Sequence, residues 1–141
     1  MRNSRPVLLI EDDRVDIMMV NRAFKELKIP NPLVCVNDGQ EALDYMRNNS
    51  NSRVCLILLD LNMPKMSGLE FLKVIKADDQ LKKIPVVILT TSDDPQDIEK
   101  SFEFSAAGYM TKPGNSKNFI EKIEEIKRYW TLSELPGGNI N

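Results

Sequence analysis

The chain has 141 residues, 42% of them apolar and 28% charged, and its formal net charge is −2. This length suits one domain with one hydrophobic core, and the lack of a Lys/Arg cluster predicts no nucleic-acid partner. No apolar stretch approaches the ~20 residues of a membrane span and the first residues lack a signal-peptide segment, so we expect a cytoplasmic protein with no membrane contact.

Short apolar runs alternate with longer segments of helical periodicity along the chain. Five apolar runs predict strands, at 6–10, 33–36, 55–59, 85–89 and 109–111. Five periodic segments predict helices, at 13–28, 38–48, 67–76, 95–105 and 116–130. Ser67 with Glu70 forms a capping-box pattern, and Pro95 suits the first turn of a helix. Residues 131–141 contain Pro136-Gly137-Gly138 and predict an irregular tail.

Strands that alternate with helices predict an α/β fold, a parallel sheet with helices on both faces. Right-handed crossovers make such a sheet doubly wound. We assign residues 1–130 to this domain and 131–141 to a C-terminal tail. In doubly wound sheets a ligand lies beyond the carboxyl ends of the strands, so the residues at those ends are the candidates for function.

The chain contains no histidine and two cysteines, Cys35 and Cys55. The lack of histidine excludes Ser-His-Asp, Cys-His and His-containing zinc sites, and also a histidine kinase or a phosphohistidine carrier. Each cysteine lies in a short apolar run, so we expect two buried thiols without a disulfide or a metal. Any chemistry must then use carboxylates, hydroxyls, amides and lysines.

Polar side chains with complementary chemistry follow four of the predicted strands. These strands end in Glu11-Asp12-Asp13, Asp60-Leu61-Asn62, Thr90-Thr91-Ser92 and Thr111-Lys112-Pro113. Acids crowded at one edge raise one another's pKa, and a divalent cation with oxygen ligands, Mg²⁺ or Mn²⁺, relieves the repulsion. Lys112 and Thr90 can then hold a phosphoryl group that Asp60 attacks in line. Taken singly, each residue has an ordinary alternative role, as Asp13 has in capping a helix.

Four motifs, at residues 8–13, 58–64 with Gly68, 85–90 and 108–113, resemble the receiver domain of bacterial two-component response regulators. The resemblance covers about residues 7–129. It implies the flavodoxin-like (βα)5 receiver fold with strand order 2-1-3-4-5. It also implies a signalling switch, which catalyses only its own phosphotransfer and dephosphorylation, rather than an enzyme. The expectation of no separate output domain comes instead from the short segment that follows the fifth predicted helix.

The resemblance implies a role for each residue of the acceptor site. Asp60 is the phosphoacceptor, and Asp12 is a direct Mg²⁺ ligand. Glu11 binds the metal mostly through water, and the backbone carbonyl of Asn62 completes the protein's ligands.

The resemblance likewise implies a switch. Thr90 is the switch hydroxyl, Tyr109 is the switch aromatic, and Lys112 pairs with the phosphoryl group. The peptide bond between Lys112 and Pro113 is expected to be cis. Phosphorylation is expected to remodel the surface formed by the fourth helix, the fifth strand and the fifth helix.

Within the family, segments 11–16, 37–43 and 84–92 resemble single-domain regulators that partner phytochrome-like histidine kinases. The expected partner is therefore a histidine kinase, docked near the first helix and the loop after the fifth strand. A homodimer through the fourth helix, fifth strand and fifth helix is also expected. Ile98 and Phe102 form the predicted inward stripe of the fourth helix, which leaves Phe104 and Tyr129-Trp130 for such a contact.

Two positions depart from the common family pattern. A small residue is usual after the switch hydroxyl, and the β-branched Thr91 here is expected to narrow access to Asp60. Gly114 and Asn115 stand where an apolar or aromatic residue is common, which predicts a more mobile loop.

Four other classes fit the residues less well. A haloacid-dehalogenase-type phosphatase needs a second Asp where Asn62 stands, and its nucleophile follows the first strand. A flavodoxin-like cofactor carrier needs a phosphate loop where the chain has carboxylates. A nucleotide-binding domain needs a glycine-rich loop that is missing. An adaptor that has lost phosphorylation remains an alternative, although every expected phosphorylation residue is present.

Overall fold

The computed structural model describes residues 5–48, 54–63, 65–114 and 116–132. Strands and helices alternate along the chain, as the sequence predicts. The strands are β1 (Val7–Ile10), β2 (Leu33–Val36), β3 (Leu56–Leu59), β4 (Val86–Thr90) and β5 (Gly108–Thr111). The helices are α1 (Arg14–Glu26), α2 (Gly39–Asn48), α3 (Gly68–Ala77), α4 (Pro95–Glu103) and α5 (Ser116–Leu132).

The five strands form one parallel sheet in the order β2-β1-β3-β4-β5, which confirms the expected order. Every residue of β1, β3 and β4 is buried, because helices cover both faces of these inner strands. The edge strands β2 and β5 are only partly buried. The inner strands β1, β3 and β4 therefore present their carboxyl ends side by side.

The hydrophobic core has two layers, because successive strand residues point to opposite faces of the sheet. One layer packs the sheet against α1 and α5, where Phe24 and Phe119 are its largest buried helix residues. The other layer packs the sheet against α2 and α3, and Phe71 lies fully buried at its centre.

Local hydrogen bonds fix where the helices begin. The Asp13 carboxylate caps α1, as its ordinary alternative role suggests, and accepts from the backbone of Val15 and Asp16. Ser67 and Glu70 form the predicted capping box at α3. Pro95 occupies the first turn of α4 behind the Asp94 cap.

The structure corrects the expected burial of two segments. Cys55 is buried but Cys35 is exposed, because β2 is an edge strand. The two thiols do not form a disulfide, as expected. In α4 the predicted inward residue Phe102 is 50% exposed and Ser101 is fully buried. Ser101 tolerates burial because its hydroxyl donates to the Asp97 carbonyl oxygen at 2.7 Å.

The end of the chain differs slightly from the prediction. The last helix continues past residue 130 to Leu132, since the segment holds no helix breaker before Pro136. The rest of the predicted tail, Asn115 and the side chains of Tyr129 and Trp130 lie outside the described residues. Among the helices that are described, none is long and apolar enough to cross a membrane.

Candidate functional site

The parallel pairing of β1 and β3 brings three acids to one edge of the sheet. Glu11 and Asp12 directly follow β1, and Asp60 directly follows β3. The Asp60 N–H donates to the carbonyl oxygen of Ile10 at 3.1 Å, which aligns the two strand ends. The acceptor candidate and the acid pair are thus neighbours by backbone register.

The pairing of β4 and β5 brings a hydroxyl and a lysine to the same edge. Thr90 is the last residue of β4 and lies opposite Thr111 in β5. The backbone N–H of Lys112 donates to the Thr90 carbonyl oxygen at 2.7 Å. Thr90 is fully buried, so its hydroxyl lies beneath the surface of the crevice.

The three acids form a compact cluster of oxygen ligands. One carboxylate oxygen each from Glu11, Asp12 and Asp60 lies within 4.8 Å of the other two. Glu11 and Asp60 are buried and Asp12 is exposed, so the cluster has one open side. An oxygen-only set with room for water suits a hard divalent cation and fits the expected metal.

The electrostatics of Glu11 reflect this crowding. Burial raises its pKa to about 7, although the hydrogen bond and charge of Lys112 act in the opposite direction. The negative charge of Asp60 adds to the increase. A cation at the cluster would favour the ionised form of Glu11 and so offset the cost of its burial.

Lys112 is the positive centre of the site. Its ammonium donates to Glu11 Oε1 at 2.5 Å and to Asp16 Oδ2 at 2.7 Å. The Lys112 Nζ lies 3.7 Å from Asp60 Oδ2, which is close enough for an ion pair but longer than a hydrogen bond. Burial lowers the pKa of Lys112, but the hydrogen bonds to Asp16 and Glu11 outweigh it and the pKa is raised. The lysine therefore stays charged beside the acceptor.

The segment after Asp60 folds tightly over it. The backbone N–H of Asn62 donates to Asp60 Oδ1 at 3.3 Å, and the Asn62 residue is exposed. The N–H of Gly68, at the start of α3, donates to the Leu61 carbonyl oxygen at 3.0 Å. A Cβ on Gly68 would lie 2.5 Å from the Asp60 carbonyl oxygen, so only glycine permits this approach.

A hydrogen-bonded path leads from Thr90 to α4 and β5. The Ser92 N–H reaches Thr90 Oγ1 at 3.4 Å, and the Ser92 hydroxyl donates to Asp97 Oδ2 at 2.6 Å. The Tyr109 hydroxyl donates to the Ser92 carbonyl oxygen at 2.8 Å. Ser92 therefore connects Thr90 and Tyr109, the two residues for which the resemblance implies a switch role.

The side chains that meet at this edge are those of Glu11, Asp12, Asp60, Thr90 and Lys112, but one backbone expectation is wrong. No cis peptide bond occurs in the described part of the chain, and the Lys112–Pro113 bond is trans. Trans is the intrinsic preference of such bonds, and it leaves Lys112 able to reach Glu11.

Sequence reasoning missed Asp16 and Ser92. Asp16 lies in a helix, where an acid in the first turn has an ordinary explanation. Its position three residues after the Asp13 cap was the available signal, because it places the side chain on the first turn beside the strand end. Ser92 lacked a comparable signal, since its contacts with Thr90 and Tyr109 use its backbone N–H and carbonyl, which any residue could supply.

Comparisons with known proteins show which family the chain is similar to. The family described as the response regulator receiver domain matches residues 7–124. The probable methanogenesis regulatory protein FilR2 of Methanothrix harundinacea is 37% identical over 127 residues, 88% of this chain and 82% of that protein. Response regulator Rcp1 of Synechocystis is 37% identical over 128 residues, 88% of this chain and 87% of Rcp1.

Two solved structures have the same fold. The phosphorylated cyanobacterial phytochrome response regulator RcpA is 38% identical with a TM-score of 0.88, and the match covers 95% of this chain and 99% of RcpA. The Mn²⁺-bound form of Rcp1 is 35% identical with a TM-score of 0.82, and the match covers 97% and 99% of the two chains. On its fold, its strand-end residues and these relatives, the chain belongs to the response regulator receiver domain family.

Proposed function

We propose that Asp60 accepts a phosphoryl group from a histidine kinase, in a reaction that requires Mg²⁺ or Mn²⁺. The observation that carries this proposal is the position of Asp60 beside two other acids and a lysine. Its carboxylate belongs to the cluster with Glu11 and Asp12, and Lys112 lies 3.7 Å from its Oδ2. The family implies the kinase, and the Mn²⁺-bound form of Rcp1 supports the metal.

The proposed ligands are the carboxylates of Glu11, Asp12 and Asp60 and the backbone carbonyl of Asn62. A bound divalent cation would neutralise phosphoryl oxygens as they approach the acids. Asp60 then attacks the phosphorus of a phosphohistidine, the P–N bond breaks, and the imidazole leaves with the electron pair. The product on Asp60 is an acyl phosphate.

Lys112 and Thr90 complete the proposed chemistry. The Lys112 ammonium compensates charge on one phosphoryl oxygen, and the Thr90 hydroxyl donates to another. When Thr90 turns toward the phosphoryl group, its contact with the Ser92 N–H at 3.4 Å changes. Ser92 also holds Tyr109 and Asp97, so the change passes to β5 and α4.

The output surface in this proposal is the face formed by α4, β5 and α5. Phe102 of α4 is 50% exposed, an apolar side chain available to a second copy or a target. We propose a homodimer through this face. Light scattering before and after phosphorylation tests it, with Phe102→Ser as the variant that weakens association; a monomer in both states rules the dimer out.

The proposed input is a phytochrome-like histidine kinase. This rests on the similarity to RcpA, which is a cyanobacterial phytochrome response regulator, and to Rcp1. The test uses purified histidine kinases with and without a phytochrome module. It compares the rates at which they transfer radiolabelled phosphate to this chain, and we expect faster transfer from the phytochrome kinases. Equal transfer from every kinase would contradict it.

The central experiment measures phosphorylation directly. Incubation with Mg²⁺ and acetyl phosphate is expected to add about 80 Da to the intact protein. Asp60→Ala should lose the gain, and chelation by EDTA should abolish it. Asp93→Asn, which removes an exposed acid from the β4–α4 loop, is the matched control and should keep it. A gain that survives in Asp60→Ala, or no gain in the wild type, would favour a non-phosphorylated adaptor.

A further inference from the structure

Lys112 contacts an acid outside the proposed phosphorylation machinery. Asp16, in the first turn of α1, accepts from the Lys112 ammonium at 2.7 Å. Its own backbone N–H is held by the Asp13 carboxylate at 3.2 Å. The Asp16 side chain is 20% exposed and that of Lys112 only 5%. The contact is therefore part of a fixed helix start and shielded at its lysine end.

This contact limits how closely Lys112 approaches the acceptor. An ammonium has three N–H donors, and those directed to Glu11 and Asp16 draw it toward β1 and α1. The distance to Asp60 Oδ2 stays at 3.7 Å, about 1 Å longer than a charge-assisted hydrogen bond. A small shift of the lysine would close that gap.

A divalent cation and the Lys112 ammonium would compete for the Asp60 carboxylate. A cation at Glu11, Asp12 and Asp60 needs Asp60 oxygens that are not already bound to an ammonium. Without the Asp16 carboxylate, the Lys112 ammonium would keep its hydrogen bond to Glu11 and could form a second one to Asp60. Metal binding would then have to break a buried, charge-assisted hydrogen bond.

We infer that Asp16 is a positioning residue, which holds the Lys112 ammonium away from Asp60 and so keeps the acceptor carboxylate open to the metal and the phosphoryl donor. The inference rests on the proposed function of Asp60. It adds a residue on α1 that acts through Lys112 and is not among the proposed metal ligands.

The test measures metal affinity apart from phosphorylation. Mg²⁺ binding is followed by titration calorimetry in the full chain, for the wild type and for Asp16→Asn. We expect Asp16→Asn to weaken the affinity by roughly three- to tenfold. Asp16→Glu restores a carboxylate and should recover affinity to within about twofold of the wild type. Unchanged affinity in Asp16→Asn would overturn the inference.

A double variant separates positioning from the mere loss of a negative charge. In a Lys112→Gln background the proposed competitor is gone, so adding Asp16→Asn should leave Mg²⁺ affinity unchanged. If the same weakening persists in that background, Asp16 acts through its charge alone and the inference fails. Should Asp16→Asn not fold, as judged by urea unfolding, Asp16→Ser supplies the same loss of charge at a helix start.

The result also distinguishes this inference from the proposed function. If the wild type binds no Mg²⁺ and gains no phosphoryl mass, the proposed function fails, and the positioning role fails with it. If the wild type binds Mg²⁺ and is phosphorylated while Asp16→Asn matches it in affinity, only the positioning role fails. Weakened affinity with slower phosphorylation by acetyl phosphate in Asp16→Asn, both recovered in Asp16→Glu, supports both.

Discussion

The hydroxyl of Tyr109 donates a hydrogen bond to the backbone carbonyl oxygen of Ser92 at 2.8 Å. The N–H of the same Ser92 reaches Thr90 Oγ1 at 3.4 Å, and its hydroxyl binds Asp97 of α4. The Thr90 hydroxyl is therefore in contact with the residue that binds both Tyr109 and Asp97 of α4. This arrangement gives the proposed switch a specific mechanical link.

The first prediction is that Tyr109→Phe separates phosphorylation from the response of α4. The variant keeps the ring but loses the bond to Ser92, so the free energy of unfolding should fall by about 1 kcal/mol. The rate at which Asp60 is phosphorylated should not change. Hydrogen exchange across residues 92–103 should change on phosphorylation in the wild type. In Tyr109→Phe it should be the same before and after phosphorylation.

Tyr45→Phe is the matched control, because it removes a hydroxyl from α2, on a different element from β5. Its α4 exchange should respond to phosphorylation as in the wild type. If exchange in Tyr109→Phe also responds fully, the Tyr109–Ser92 bond does not carry the signal.

The second prediction concerns Thr91. This residue is exposed and adjoins the buried Thr90 at the end of β4. If its β-branched side chain narrows access to Asp60, Thr91→Ala should speed both phosphotransfer and hydrolysis, by roughly two- to tenfold. The half-life of phospho-Asp60 is measured by the decay of radiolabel after removal of the donor.

Thr111→Ala, at the end of the neighbouring strand β5, makes the same chemical change on an exposed residue. It should leave the half-life close to the wild-type value. An unchanged or longer half-life of phospho-Asp60 in Thr91→Ala would show that the Thr91 side chain does not restrict access to Asp60.

The sequence predicted the positions of the site residues because strand ends leave little freedom. Once the apolar runs are taken as parallel inner strands, backbone register alone brings Glu11, Asp60 and Thr90 to one edge. The side chains at successive strand ends must then face one crevice. The acid cluster and the lysine could be anticipated without knowledge of any side-chain conformation.

The errors have a different physical origin. Periodicity finds a helix but fixes its phase poorly when a small polar residue can be buried, which is why α4 buries Ser101 and leaves Phe102 half exposed. The contact between Asp16 and Lys112 depends on how α1 begins and on the path of one long side chain. The position of Asp16 after its cap indicates that it lies near the strand end, but only the folded structure shows that Lys112 reaches it.

The third prediction is that Gly68→Ala damages both stability and acceptance of phosphate. The added Cβ would lie 2.5 Å from the carbonyl oxygen of Asp60 and 2.6 Å from the Cα of Leu61, both backbone atoms. Relief requires α3 or the Asp60 segment to move, so we expect a loss of about 1–3 kcal/mol in urea unfolding. Phosphorylation by acetyl phosphate should slow as Asp60 is displaced from the acid cluster.

Gly114→Ala offers a control with the same substitution. A Cβ at Gly114 would meet no atom within 4 Å of the described residues, so stability should change by less than about 0.5 kcal/mol. If Gly68→Ala and Gly114→Ala lower the free energy of unfolding equally, the loss comes from the reduced backbone freedom of alanine and not from the close approach of residue 68 to Asp60.

The last prediction concerns pH and the metal-free state. The pKa of Glu11 is raised from 4.5 to about 7, mainly by burial. Between these values the folded protein holds a proton that the unfolded chain has released. The free energy of unfolding in EDTA should therefore fall as pH rises from about 4.5 to 7, by on the order of 1–3 kcal/mol from this group.

Glu11→Gln isolates this contribution, since the amide cannot release a proton. The difference in unfolding free energy between the wild type and Glu11→Gln, measured by urea titration from pH 5 to 8 in EDTA, should shift against the wild type up to about pH 7 and level off above it. Saturating Mg²⁺ should reverse the trend, because the proposed metal binds the ionised carboxylate and stabilises the folded state more as pH rises. A difference that does not vary with pH in EDTA would mean that Lys112 keeps Glu11 ionised in spite of its burial.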